Sequence, residues 1–436
     1  MPTRKIQTHL AMKASESGIT FRSTNRDIQN VINKARDDKL AGRSSINALL
    51  DDLGKDNVTH FLKKDAAGHV THLFFALPDA IEMTKTSRQI LLLDSTYKTN
   101  HFSIPLLHVV GCSSTYKSFS SCFVFMRNEK TEDYLWAIQC MLKADIIPVD
   151  WSGVALTDSE SALISALEET FPLSTHLLCG WHINKNLLTN LRSSFPKGDL
   201  GKGPWDDFMK RWRTVVASKT EVEFNEAWVA FKNNADNPPA AITYIETQWL
   251  PEKEKFIKAW TSQYRHFNHV VTSRAEGAHA RVKSYIEVST GNLLTTYEKI
   301  LQAHKAEYMA LNTAMSQDKL RREHKMNRKL YDELRGKVSS FALYRILEQE
   351  EQVRYSKAEG GRPLGSCTGA FEKIMGLPCK HTIAAYLLVN KSIPISDVDC
   401  QWYLIHPVPA LLVQQEAALP ALAQQLTETA ETWAPH

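Results

Sequence analysis

Residues 90–93 (Ile-Leu-Leu-Leu) form an unbroken apolar run that stops at Asp94, and polar residues follow as far as Asn100. A short run with every side chain apolar predicts a strand buried on both faces in the middle of a sheet. An acid at the end of such a strand sits where the core opens onto solvent. It is there either to shape a turn or helix start, or as one corner of a metal site.

The segments that follow give the strand a context. Residues 101–114 and 118–127 are rich in β-branched and aromatic residues and are joined by a short polar link, which predicts a hairpin. Residues 131–143 place Tyr134, Leu135, Ile138 and Leu142 at helical spacing. Residues 153–157 predict a second short apolar strand, which again ends in an acid, Asp158. A helix (159–170), a strand (176–179) and another helix (181–191) complete the order βββαβαβα. That order predicts an α/β fold of the ribonuclease H-like type, a mixed sheet with helices on both faces. In such a sheet the strand before Asp158 lies parallel to the strand before Asp94, so both acids project into one crevice.

The same reading divides the chain. Residues 1–20 are expected to be disordered, and 21–86 to form a small α+β leader domain with a hairpin turn near 65–68. Residues 87–194 are the core. Residues 195–270 carry Trp205, Trp212, Trp228, Trp249 and Trp260 in helical patterns and predict a Trp-rich helical insertion. Residues 271–315 return as helices of the core and bring Glu276. Residues 316–360 read as a helical connector with a basic helix over 318–337. Its Lys319, Arg321, Arg322, Lys325, Arg328 and Lys329 either neutralise phosphates or form a solvated face. Residues 361–405 form a Cys/His module, and 406–436 a tail.

Composition narrows the function classes. The 436 residues are 43% hydrophobic and 23% charged, with a net charge of +4, which permits a nucleic-acid partner without requiring one. No apolar run approaches the roughly 20 residues of a membrane span. The N-terminus has no apolar core of signal-peptide type, so an intracellular protein with no membrane partner is expected. Seven Cys fit reduced thiols or metal ligands better than a disulfide framework.

Three constellations bear on chemistry. Asp94, Asp158 and Glu276 would repel one another in one crevice unless a divalent cation neutralised them. Hard oxygen donors suit Mg²⁺ or Mn²⁺, and a two-ion site suits phosphoryl transfer on nucleic acid. Cys179-x-x-His182 lies close to that crevice, either as a structural or positioning unit or as a partial metal site. Cys367, Cys379 and His381 make a compact set of three soft Zn²⁺ ligands, with Cys400 or His406 as candidate fourth ligands. A small apolar module with buried thiols and no metal is the alternative.

With these motifs together the chain resembles the Mutator-like element (MULE) transposases. The resemblance rests on Asp94 with Tyr97, Thr99 and Asn100, on Asp158 in its Thr-Asp-x-Glu-x-Ala context, on Cys179, Trp181 and His182, and on Glu276 after a helical insertion. It implies a DDE core in which Asp94, Asp158 and Glu276 hold Mg²⁺ or Mn²⁺ for DNA strand cleavage and transfer, with His182 near the site. The segment from Cys367 to His381 resembles a SWIM-type zinc finger, degenerate because one Cys, not two, precedes Phe371. The implied partners are DNA, as element ends and target, and further copies of the chain; the implied location is the nucleus. Members of that family usually carry an N-terminal zinc-type DNA-binding domain, and no paired Cys or His at ligand spacing precedes Asp94 here. The alternative reading is a domesticated, non-catalytic DNA-binding transcription regulator. A nuclease acting on RNA–DNA hybrids is a third reading, disfavoured by the long insertion before the last acid.

Overall fold

A computed structural model describes residues 3–18, 20, 22–196, 203–270, 273–286, 291–321, 324–358 and 361–404. At its centre lies one seven-stranded sheet with strands in the order β1-β2-β5-β4-β3-β6-β7. The strands are β1 (Thr59–Lys64), β2 (Val70–Ala76), β3 (Ile90–Thr96), β4 (Leu106–Cys112), β5 (Ser118–Met126), β6 (Val154–Thr157) and β7 (Thr175–Leu178). β3, β4 and β5 pair antiparallel, while β6 and β7 continue beside β3 in parallel. This is the mixed α/β sheet expected from the element order, with two more strands along the β5 edge. Those two are the hairpin read from the sequence as part of a leader segment. β2 pairs antiparallel with β5, so the hairpin extends the central sheet. Asp65 shapes its turn by accepting from the N–H groups of Ala67 (3.0 Å) and His69 (2.9 Å).

Helices α1 (Thr3–Glu16), α2 (Asn25–Leu40), α3 (Ser45–Lys55) and α4 (Pro78–Thr86) precede the central strands. Residues 1–20, expected to be disordered, thus contain a helix, and the Gln7 side chain of α1 donates to the carbonyl of Ser23 (3.0 Å). Helices α5 (Thr131–Lys143), α6 (Ser161–Thr170) and α7 (Gly180–Leu191) follow β5, β6 and β7. Tyr134, Ala137, Leu163 and Ala166 of α5 and α6 cover Leu91 and Leu93 on one face of β3.

The insertion folds as α8 (Pro204–Val216), α9 (Glu221–Lys232), α10 (Pro239–Gln248) and the single turn α11 (Lys258–Thr261). Its aromatic core of Trp205, Phe208, Trp212, Phe231, Trp249 and Phe256 is shared with Ile183, Leu187 and Leu191 of α7, so the insertion is mounted on a core helix. Trp228 and Trp260 sit at its margin, partly buried.

Helices α12 (Ser273–Ile286) and α13 (Leu293–Leu320) return across the sheet. Ala275 and Ala278 of α12 pack with Ile90, Leu92 and Val110, covering the second face of β3. A strand covered on both sides needs apolar residues at every position, which is why residues 90–93 do not alternate.

The basic helix expected over 318–337 is not formed. α13 stops at Leu320, and two 3₁₀ turns follow, His324–Met326 and Lys329–Tyr331. The segment is held by its apolar residues: Met326, Leu330, Tyr331, Leu334 and Val338 are all buried in the core under the sheet. A regular helix with one solvated basic face cannot bury all of them. α14 (Ser340–Lys357), α15 (Ala370–Met375) and α16 (Lys380–Leu388) complete the chain. The C-terminal module joins the same core: the Trp402 indole donates to the Met375 carbonyl (2.6 Å), and the Gln401 amide to the carbonyl of Cys112 at the end of β4 (2.6 Å). The tail expected over 406–436 lies outside the described residues.

Candidate functional site

Asp94 does not end its strand. β3 continues to Thr96, and the Asp94 side chain points to the α12 side of the sheet, in line with Ile90 and Leu92. β6 stops at Thr157, one residue before Asp158. The parallel pairing sets Leu92 against Leu156, and Asp94 and Asp158 each follow two residues later, near enough for the charge of Asp158 to act on Asp94. Glu276 lies in the first turn of α12, over this edge. Burial, then repulsion from Asp158 and Glu276, pushes the Asp94 carboxyl up to about 7. Asp158 is also raised, first by burial, then against the nearby charge of Glu129, although it accepts a hydrogen bond from the Glu160 N–H (3.2 Å). The three acids therefore share one crevice, although their donor atoms do not all lie within 4.8 Å of one another.

The position of α12 is set by a chain of contacts. Arg281 grips the buried carboxylate of Glu307 on α13, and the other oxygen of Glu307 accepts from the backbone N–H of Ser120 in β5 (2.8 Å). One turn beyond Glu276, His279 points into the same crevice, its Nδ1 3.6 Å from Asp94 Oδ2. Burial lowers His279 to about 4, so its ring is neutral. His108 stands opposite Asp94 on β4, fully buried, stacked on Phe123 and 5.2 Å from the His279 ring. Neither histidine stood out in the sequence; the one signal was the Glu276-x-x-His279 spacing on a helix.

The motif residues after Asp94 divide by role. The phenol of exposed Tyr97 donates to Glu129, at the rim of the crevice. Asn100 pins the turn into β4: its amide donates to the Ile104 carbonyl (2.8 Å) and its side-chain oxygen accepts from the Ile104 N–H (3.1 Å). Thr99 is buried, and its carbonyl accepts from the Thr296 hydroxyl of α13 (3.0 Å). Cys179 is a buried thiol at the N-cap of α7, and its N–H donates to Thr157 (2.8 Å) beside Asp158. His182, in the first turn of α7, has Nε2 3.9 Å from Glu276 Oε1. Burial lowers its pKa, while Glu276 opposes the shift. Cys179 and His182 form no three-ligand cluster among the described residues.

Cys367, Cys379 and His381 do form one, with all donor atoms within 4.8 Å. Cys379 Sγ lies 3.8 Å from Cys367 Sγ and 3.7 Å from His381 Nδ1. A tetrahedral zinc with Zn–S near 2.3 Å sets two sulfurs about 3.8 Å apart. His381 Nε2 lies 3.0 Å from the carbonyl of Gly365, so its proton belongs there and Nδ1 presents its lone pair to the thiols. Glu372 braces the turn by accepting from the Cys379 N–H (3.1 Å) and from the Thr382 hydroxyl. The donor set fits Zn²⁺. Of the two candidate fourth ligands, Cys400 lies outside the cluster, with its thiol on Asp399 (3.9 Å). His406 lies outside the described residues.

Comparison with known proteins places part of the chain in a family. Residues 90–186 match the family described as the MULE transposase domain. The chain is 23% identical over 419 residues to the PKS-NRPS hybrid synthetase cheA of Chaetomium globosum, covering 87% of this chain and 9% of that protein. It is 22% identical over 407 residues to Protein FAR1-RELATED SEQUENCE 5 of Arabidopsis thaliana (84% of this chain, 49% of that one). It is 23% identical over 350 residues to Protein FAR1-RELATED SEQUENCE 2 of the same plant (72% and 40%). The chain thus spans half or less of the length of these curated relatives. No helix among the described residues is long and apolar enough to cross a membrane.

Proposed function

We propose, from the premise that this is a transposase-derived chain with a MULE transposase domain over residues 90–186, that it is a metal-dependent DNA strand-cleaving and strand-joining enzyme. The observation that carries the reading is the cost of the Asp94 site as it stands. A carboxyl 6% exposed, with two further carboxylates raising its pKa, is held at a price that a divalent cation would offset. The donors are carboxylate oxygens, which fit Mg²⁺ or Mn²⁺. Asp94, Asp158 and Glu276 would hold the ions. A trio of carboxylates whose donor atoms do not all close within 4.8 Å is compatible with donors shared between two ions. When bound, such a pair supplies a clamp on the attacking and leaving oxygens of a phosphodiester.

The chain's own residues do the rest. β3 and β6 fix Asp94 and Asp158 on rigid backbone, and the Arg281–Glu307–Ser120 chain of contacts fixes the helix that carries Glu276. His182, beside Glu276, is placed to orient that carboxylate. DNA is the partner in this reading, with two or more copies of the chain assembling on paired ends in the nucleus, and the Cys/His module, holding zinc, supports DNA or protein contact.

The test is nicking of supercoiled DNA by the full chain with Mg²⁺ or Mn²⁺, compared with Asp94→Asn, Asp158→Asn and Glu276→Gln. Loss of nicking in all three, with folding and DNA binding retained, is the expected result. Nicking undiminished by Asp94→Asn would sink the assignment. The second reading is a DNA-binding regulator without catalysis, favoured because the three acids do not close into one compact donor cluster. DNA binding with no metal uptake at the acids would select it.

A further inference from the structure

We propose that His279 is a ligand of the same metal site, adding one imidazole nitrogen to the carboxylate oxygens and biasing the site from Mg²⁺ toward Mn²⁺. The inference rests on reading Asp94, Asp158 and Glu276 as metal donors.

The molecule contains its own comparison. His72 and Asp133 form a closed buried pair, Nε2 to Oδ1 at 2.7 Å. His279 and Asp94 are just as deeply buried, at 7% and 6% exposure, and yet Nδ1 and Oδ2 stand 3.6 Å apart, too far for a hydrogen bond. Two donors about 2.1 Å from one ion are separated by about 3–4 Å, so 3.6 Å is a distance that a shared ion accounts for and a hydrogen bond does not.

The surroundings leave the ring unsatisfied. His279 Nε2 is buried without a hydrogen-bond partner, and so are both nitrogens of His108 beside it. Buried polar atoms of this kind call for a partner, and these lie on and beside the ring whose Nδ1 faces Asp94. Glu276 and His279, one turn apart, present an oxygen and a nitrogen donor to the same crevice. An imidazole donor is tolerated better by Mn²⁺ than by Mg²⁺, which prefers oxygen.

The experiment uses the full chain with Mn²⁺ alone, read by pulsed electron paramagnetic resonance, which detects nitrogen bound directly to the ion. The expected result is a single ¹⁴N coupling in the wild type and in His182→Gln. It is absent from His279→Gln and His279→Asn, whose Mn²⁺ affinity is at least about tenfold lower with a smaller change for Mg²⁺. If both His279 variants fail to fold, the wild type and His182→Gln still decide. Coupling kept in His182→Gln supports His279 over His182, and coupling lost there with Mn²⁺ still bound overturns it. Mn²⁺ bound in an Asp94-dependent way with no nitrogen coupling overturns the role of His279 and leaves the acid site standing. Mn²⁺ binding that is absent, or that survives Asp94→Asn unchanged, overturns the acid site and this inference together.

Discussion

The carboxylate of Glu307 accepts a hydrogen bond from the backbone N–H of Ser120 where β5 bulges against β4. Val109 pairs with Cys122 but Val110 with Ser120, so one extra residue sits in β5 and an N–H of the ladder needs another acceptor. Glu307 supplies it from α13 and is itself held by Arg281 of α12. Glu307→Ala is expected to cost about 2–3 kcal/mol in urea unfolding, because a buried N–H and a charge partner are lost together. Glu307→Gln keeps an acceptor for Ser120 and should cost clearly less. If Glu307→Ala unfolds like the wild type, Glu307 does not anchor α12.

Asp94 predicts an unusual pH dependence of stability. Its folded pKa, about 7, lies above its ordinary value of 3.8. The folded state therefore binds the proton more tightly than the unfolded state. The contribution is complete below the ordinary value and is lost as pH rises through 7. In metal-free protein, Asp94→Asn should be more stable than the wild type at pH 8, by up to roughly 4 kcal/mol, and the gap should close toward pH 4. Adding Mn²⁺ should stabilise the wild type and not the variant. Thermal melts at the two pH values check the sign; a wild type as stable as Asp94→Asn in metal-free pH 8 buffer would remove the motive for a cation.

Zinc should bind the Cys/His module with one ion per chain and should be lost in Cys379→Ser and in His381→Ala. Cys400→Ser should keep it, because that thiol stands on Asp399 and not in the cluster. Burial raises the Cys379 thiol above its ordinary 9.0, so it is protonated without metal and must release that proton to bind. Titration calorimetry in buffers of different ionisation enthalpy should therefore show proton release. Zinc uptake without proton release, or equal uptake by Cys379→Ser, counts against the site.

What could be read from the sequence followed burial. The run at 90–93 was legible because a strand covered by α5 and α6 on one face and α12 on the other allows no polar residue. Asp94 and Asp158 were legible as a pair because strand order alone brings them to one edge. His279 was not, since a histidine on a helix carries no mark of a carboxylate on a distant strand. The connector at 318–337 was misread because its many charges mask the spacing of Met326, Leu330, Tyr331 and Leu334. These four need a broken chain to reach one core.

Arg328 belonged to that misread stretch, and its charge is not free for phosphate. It forks onto Glu350 of α14, whose side chain is fully buried and also accepts from the Tyr331 phenol (2.8 Å) and from Arg354 (2.9 Å). Burial pushes the Glu350 carboxyl up, but these donors more than offset it and hold it below its ordinary 4.5. That contribution is present above the ordinary value and is lost as pH falls through the folded one. Glu350→Ala leaves Arg328 and the Tyr331 hydroxyl without their acceptor and should cost about 3–5 kcal/mol, whereas Glu350→Gln, which keeps an acceptor for Tyr331, should cost less. Arg328→Ala should destabilise the protein without changing the salt dependence of DNA binding, since a guanidinium already neutralised by Glu350 displaces no counterion from DNA. A shallower salt slope for Arg328→Ala, measured on protein confirmed to be folded, would return this residue to the DNA-binding face.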